Sequence, residues 1–175
     1  MQTLSKDDFL GQIADRGLGL DHRYQPPQTL VFPGNDDLRW SWDIPASPKG
    51  LPRFVNSFFD ACDEEDSFYL FPRSGAWECG DTLKLFQMTS VFSRLGRQPD
   101  ADDVLVFSVD EIDAAETLFS IALVFGLTVS DDVFAIPSHC KLVLYADHHE
   151  AVHAEFGNGG FMNGYLPKIP EPISH

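Results

Sequence analysis

Apolar positions recur at helical spacing directly after Ser5, where Phe9, Leu10, Ile13 and Ala14 share one face. Ser5 stands where an N-cap belongs, and Asp7 and Asp8 fill the first turn, where negative charge favours the positive helix end. Gly17 and Gly19 stop this helix. After Pro26-Pro27 two strand-like runs follow, Thr29 to Phe32 and Leu38 to Ile44. Between them Pro33-Gly34-Asn35-Asp36-Asp37 has the turn chemistry and length of a hairpin loop. Trp40 and Trp42 fall on one face of the second run, as core residues rather than a stacking platform. Pro52 suits the first turn of a helix running to about Cys62, with Phe54, Val55, Phe58, Phe59 and Cys62 as its apolar stripe. The four acids Asp63 to Asp66 then oppose that helix's dipole and read as a solvated loop.

Further along, Ser67 to Phe71 predicts a strand, and Asp81 caps a helix from Thr82 to Leu95 with Leu83, Phe86 and Val91 or Phe92 inward, ended by Gly96. Residues 98–103 are polar, acidic and proline-containing, so the chain is read as a single domain whose two subdomains, if present, divide near 97–103. Val104 to Val109 is a short apolar strand. Asp110 opens a long helix through Phe125 with Gly126 as its C-cap. Leu118 to Val129, its most apolar part, is about twelve residues, short of the ~20 needed to cross a bilayer. Val133 to Ile136, Lys141 to Asp147 and Ala151 to Phe156 are three short strands joined by tight turns, which leave no room for crossover helices. The expected fold class is therefore α+β: an antiparallel sheet with a C-terminal three-strand meander and helices packed on one face. The proline- and glycine-rich tail beyond Gly157 has no periodicity and reads as an extended or wrapping segment.

Composition sharpens this picture. The 175 residues are 43% hydrophobic and 13% aromatic, with fifteen phenylalanines, so a net charge of -15 is carried by a chain with ample apolar material for a core. The charge is regional. Up to Arg97 there are 14 acids against 10 bases; beyond it, 13 acids face two bases. Between Arg97 and Lys141 nine carboxylates occur with no lysine or arginine. Such a one-signed region attracts basic partners and repels nucleic acid and anionic membrane. The acids Asp110, Glu111, Asp113 and Glu116 fall in the first turns of the long helix, where the helix dipole accounts for them. Asp100, Asp102, Asp103, Asp131 and Asp132 fall in loops, and these five are the candidate partner-binding residues. Three cysteines with no paired spacing argue against a disulfide framework and for a reducing compartment. The first residues place acids where an export signal needs bases and an apolar run. A cytoplasmic protein is expected.

Two segments offer candidate chemistry. Asp147-His148-His149-Glu150-Ala151-Val152-His153 gathers three of the six histidines beside acids, with Glu155 close behind and His139 and Cys140 at the far end of the preceding strand. Its His149-Glu150-Ala151-Val152-His153 portion matches H-E-x-x-H, in which two histidines one helical turn apart bind zinc and the glutamate acts as base. That chemistry requires a helix from Asp147 to Phe156, with Asp147 as N-cap and Glu150 as its capping-box partner. The flanking residues favour a hairpin instead. The second segment, Phe71 to Asp81, leads a glycine-containing turn into a helix start beside Arg73, an arrangement able to hold an anion. It lacks the G-K-[ST] of a P-loop, and the chain has no G-x-S-x-G or Cys/His signature.

The expected function is that of a non-catalytic acidic interaction protein docking on a basic protein partner, as an immunity protein inhibiting a nuclease toxin would, with no cofactor. Two alternatives stand beside it. One is a metal-dependent hydrolase holding a divalent metal on His149 and His153 with Glu150 as base; the other is a structural subunit of a larger assembly.

Overall fold

The computed structural model describes residues 1–20, 30–31, 39–44, 50–60, 67–72, 77, 90–97, 99–100, 103–129, 133–138, 142–147 and 151–156. Nine strands and three helices are ordered along them as β1 (Gln2–Ser5), α1 (Lys6–Ala14), β2 (Gly19–Leu20), β3 (Leu30–Val31), β4 (Arg39–Asp43), α2 (Gly50–Phe59), β5 (Phe68–Pro72), β6 (Asp103–Phe107), α3 (Ile112–Val129), β7 (Val133–Pro137), β8 (Leu142–Asp147) and β9 (Ala151–Phe156). Seven strands form one sheet in the order β1-β6-β5-β7-β8-β9-β4. Every neighbouring pair in it is antiparallel. The α+β class and the β7-β8-β9 meander are thus as expected.

Alternation along the strands gives the sheet two apolar faces. On one, Leu70, Leu105, Ala135 and Leu144 pack with Phe54, Val55, Phe58 and Phe59 of α2 and Leu118 and Phe119 of α3. On the other, Tyr69, Phe71, Phe134 and Val143 pack with Phe9 and Ile13 of α1 and with Leu18 and Leu30 beside the β2-β3 ribbon. The one-face arrangement therefore holds for α2 and α3, while α1 covers the opposite face. This explains why β7 is buried at all five positions: both of its faces are covered. Each fully buried phenylalanine contributes about 1.5–3 kcal/mol through burial alone. The edge-on contact of Trp42 with Phe58 at 5.0 Å joins α2 to the sheet, and Phe54 meets Phe58 edge-on at the same distance within the helix.

Several local expectations are corrected. The runs around Val31 and Trp40 are strands but not a hairpin: β3 pairs with β2, and β4 joins the far edge of the main sheet beside β9. Hairpin-length turn chemistry permits local pairing, but a buried partner strand elsewhere offers more apolar contact. α3 is opened by Ser108, not Asp110. The Ser108 N–H and hydroxyl both donate to Glu111 Oε2, at 3.0 and 2.9 Å, in a reciprocal capping box followed by a single 3-10 turn. Nor does Gly126 end that helix, which continues to Val129; a glycine costs a helix about 1 kcal/mol but stops it only where the backbone turns left-handed. Gly96 does so, with φ +71°. It closes the helical turn that buries Val91 and Phe92. α2 starts at Gly50 and ends at Phe59; Cys62 and the helix start near Thr82 lie outside the described residues. Across 97–103, β5 on one side and β6 on the other are hydrogen-bonded neighbours.

Candidate acidic interface

Strand directions bring acids from distant parts of the sequence to one end of the sheet. β1 finishes there at Ser5, opposite Asp103, the first residue of β6. β5 finishes at Pro72, opposite Val133, the first residue of β7. β8 finishes at Asp147 and β4 at Asp43, both in register with Ala151 of the intervening β9. Two strand spacings of about 4.8 Å set the Asp147 and Asp43 backbones roughly 10 Å apart. α1 also begins here, with Asp7 and Asp8 exposed in its first turn. Ser5 secures that start: its Oγ accepts the Asp8 N–H at 3.2 Å and donates to Asp8 Oδ2 at 2.7 Å.

Of the five acids singled out from sequence, two lie among the described residues, and Arg97 organises both. Its guanidinium donates to Asp103 Oδ2 at 2.6 Å and to Thr3 Oγ1 at 3.0 Å, and approaches Asp100 Oδ2 at 3.4 Å. The Asp100 N–H closes the turn on Asp103 Oδ2 at 2.8 Å. Asp103, only 14% exposed, is therefore part of a clamp joining β1 to the start of β6, and its main chain also accepts the Trp77 indole N–H at 3.1 Å. Asp100, at 87% exposure, projects into solvent. Asp102, Asp131 and Asp132 lie outside the described residues, although Asp131 and Asp132 directly precede Val133 in the chain. Sequence reasoning missed Asp43 and Asp147 as members of this end. Each ends an apolar run, but only the sheet order brings them together.

The histidine segment also reaches this end, because Ala151 opens β9 there. His153 stands on that strand, between Tyr145 of β8 and Ser41 of β4, so the helical form of the H-E-x-x-H reading is overturned. That ligand pair depends on a helical turn, and the strand over Ala151–Phe156 leaves none there. His153 Nδ1 is 2.8 Å from Ser41 Oγ, and its ring stacks on Tyr145 at 4.6 Å between centroids. Glu155, two residues on, is buried at 7% exposure. His149, Glu150, His139 and Cys140 lie outside the described residues, as do Arg73 and most of the Phe71–Asp81 turn. Among the described residues no three His, Cys, Asp or Glu side chains converge as a metal-binding group.

The opposite end of the sheet carries acids as well. There the N-terminal ammonium of Met1 pairs with Glu111, beside Ser67 and Ser108 in a cleft of about 450 Å³. Burial pushes the Glu111 carboxyl up, but the ammonium and the Ser108 N–H and hydroxyl outweigh it and hold the group at about 2, below the ordinary 4.5. Arg16, just beyond α1, donates to the carbonyl of Ser138 after β7. At this end Glu111 is committed to a cap and a cation while Asp15 and Asp110 are exposed; at the first end Asp7, Asp8, Asp43 and Asp100 are exposed. Among the described residues no helix is long and apolar enough to cross a membrane. In comparisons with known proteins, no protein-family model matches this chain, and no curated protein or solved structure matches it.

Proposed function

We propose that this is a non-catalytic interaction protein of the cytoplasm that docks the acidic end of its sheet on a basic protein surface, in the manner of an immunity protein that neutralises a nuclease. The observation that carries the reading is the convergence of Asp43, Asp100 and Asp147 on one sheet end, supplied by three separate segments of the chain. Residues at the ends of hydrogen-bonded strands are held at spacings set by the sheet, so docking there avoids the ordering cost of a flexible acidic tail. A field of one sign speeds encounter with an oppositely charged partner by roughly 10- to 1000-fold and disfavours nucleic acid.

The test is co-purification of the untagged protein from its own cells at low and high ionic strength. A basic protein is expected at low salt and is lost at high salt. It is also lost at low salt from a variant carrying Asp43→Asn, Asp100→Asn and Asp147→Asn. Retention of the same partner by that variant, and indifference to salt, would contradict the reading.

A further inference from the structure

On the face of the sheet that carries α2 and α3, a cleft of about 350 Å³ opens between the two helices, within the size range of small-ligand sites. Pro52 and Asn56 line it from α2, and Glu116, Thr117 and Ile121 from α3. Glu116 is half-buried, Ile121 is buried, and Pro52, Asn56 and Thr117 are exposed. None of these residues belongs to the acidic end of the sheet described above.

Asn56 and Thr117 have already spent their hydrogen-bond donors. With the Asn56 amide oriented to satisfy both its neighbours, its nitrogen donates to Glu116 Oε2 at 3.2 Å and to the Pro52 carbonyl at 2.7 Å, so both N–H groups are used and the amide oxygen remains as an acceptor. The Thr117 hydroxyl donates to the Asp113 carbonyl at 2.7 Å, which leaves its oxygen to accept. An ionised Glu116 has only lone pairs to offer. Among the described residues its one hydrogen-bond partner is the Asn56 amide, and no cation pairs with it. Ser90 and Ser120 add hydroxyls that accept as readily as they donate. Three residues with acceptor capacity alone, one of them charged, thus line one cleft.

We infer that the cleft binds a small primary alkylammonium, with the ammonium on Glu116 and its neighbouring acceptors and the alkyl chain along Pro52 and Ile121. An ammonium carries three N–H donors and no acceptor, the complement of this lining, and it stays protonated at neutral pH. Its hydrogen bonds to a carboxylate are charge-assisted, about twice as strong as neutral ones. A bare metal ion fits less well, because among the described residues no three His, Cys, Asp or Glu side chains converge. A quaternary ammonium calls for aromatic faces, and none of the described lining residues is aromatic.

Titration of the full chain with n-hexylamine at neutral pH, followed by NMR shifts, tests the site. Saturable shifts are expected at Asn56, Glu116 and Thr117, with the neutral counterpart 1-hexanol binding at least about tenfold more weakly. Glu116→Gln keeps the shape of the side chain and is expected to weaken n-hexylamine binding by a similar factor. Asp15→Asn, which removes one charge outside the cleft, is expected to leave it unchanged. If Glu116→Gln fails to fold, Asn56→Leu at its exposed position serves instead and should weaken binding at least about threefold. No saturable shift at these residues with millimolar amine, equal binding of 1-hexanol, undiminished binding by the cleft variant, or an equal loss in Asp15→Asn would each overturn the proposal.

Discussion

Glu111 ties the start of the longest helix to the first residue of the chain, and it does so as an anion. Replacing it with glutamine removes the ionic partner of the Met1 ammonium and weakens the Ser108 cap, at an expected cost of roughly 1–2 kcal/mol at neutral pH. Because its folded pKa is depressed to about 2, that stabilisation is present above 4.5 and lost as pH falls through about 2. Urea unfolding of wild type and Glu111→Gln should therefore converge in strong acid; a gap that persists there would remove the ionic explanation. Phe58 illustrates the apolar counterpart. Fully buried and edge-on to both Trp42 and Phe54, it should lose about 3–5 kcal/mol on replacement by alanine, measured as a lower urea midpoint. Its stripe was legible because Phe54, Val55, Phe58 and Phe59 repeat with helical spacing. The Ser108-to-Glu111 capping box was equally present in the sequence, but Asp110 beside it offered a competing start.

At the scale of elements, two glycines separate backbone freedom from packing. Gly11 lies inside α1, exposed, and a Cβ built there meets nothing within 4 Å, so Gly11→Ala should stabilise the protein by roughly 1 kcal/mol. Gly96 also has open space around it but turns left-handed, and Gly96→Ala should destabilise by about 1–2 kcal/mol. Thermal midpoints moving in opposite directions would confirm both; a fall for Gly11→Ala would place unseen strain in α1. Elements whose signal is local were legible: α1 from its cap and stripe, β7 to β9 from short apolar runs and tight turns. Pairing was not. β4 is hydrogen-bonded to β9, with Arg39 opposite Glu155, and nothing near Arg39 in the sequence encodes a partner so remote. β1 was hidden for a related reason, since Gln2-Thr3-Leu4-Ser5 becomes a strand by lying along β6 and by the Arg97 clamp rather than through any apolar alternation. The five candidate acids were visible as a charge pattern, while the sheet end that Asp100 and Asp103 share with Asp43 and Asp147 follows only from strand order.

At the scale of the whole molecule, a net charge of -15 is carried with described acids at both ends of one sheet. The proposed docking requires the acids of one end rather than the total, and the two can be separated. The decisive measurement is the association rate with the basic protein that co-purifies, followed at several ionic strengths for two variants of equal charge. One carries Asp43→Asn, Asp100→Asn and Asp147→Asn at the acidic end; the other carries Asp15→Asn, Asp110→Asn and Asp113→Asn toward the opposite end. The first variant is expected to associate at least about tenfold more slowly at low salt and to lose most of its salt dependence, with the second close to wild type. Equal slowing in both variants would mean that total charge alone steers the encounter, and the acidic sheet end would then have no claim to be the docking surface.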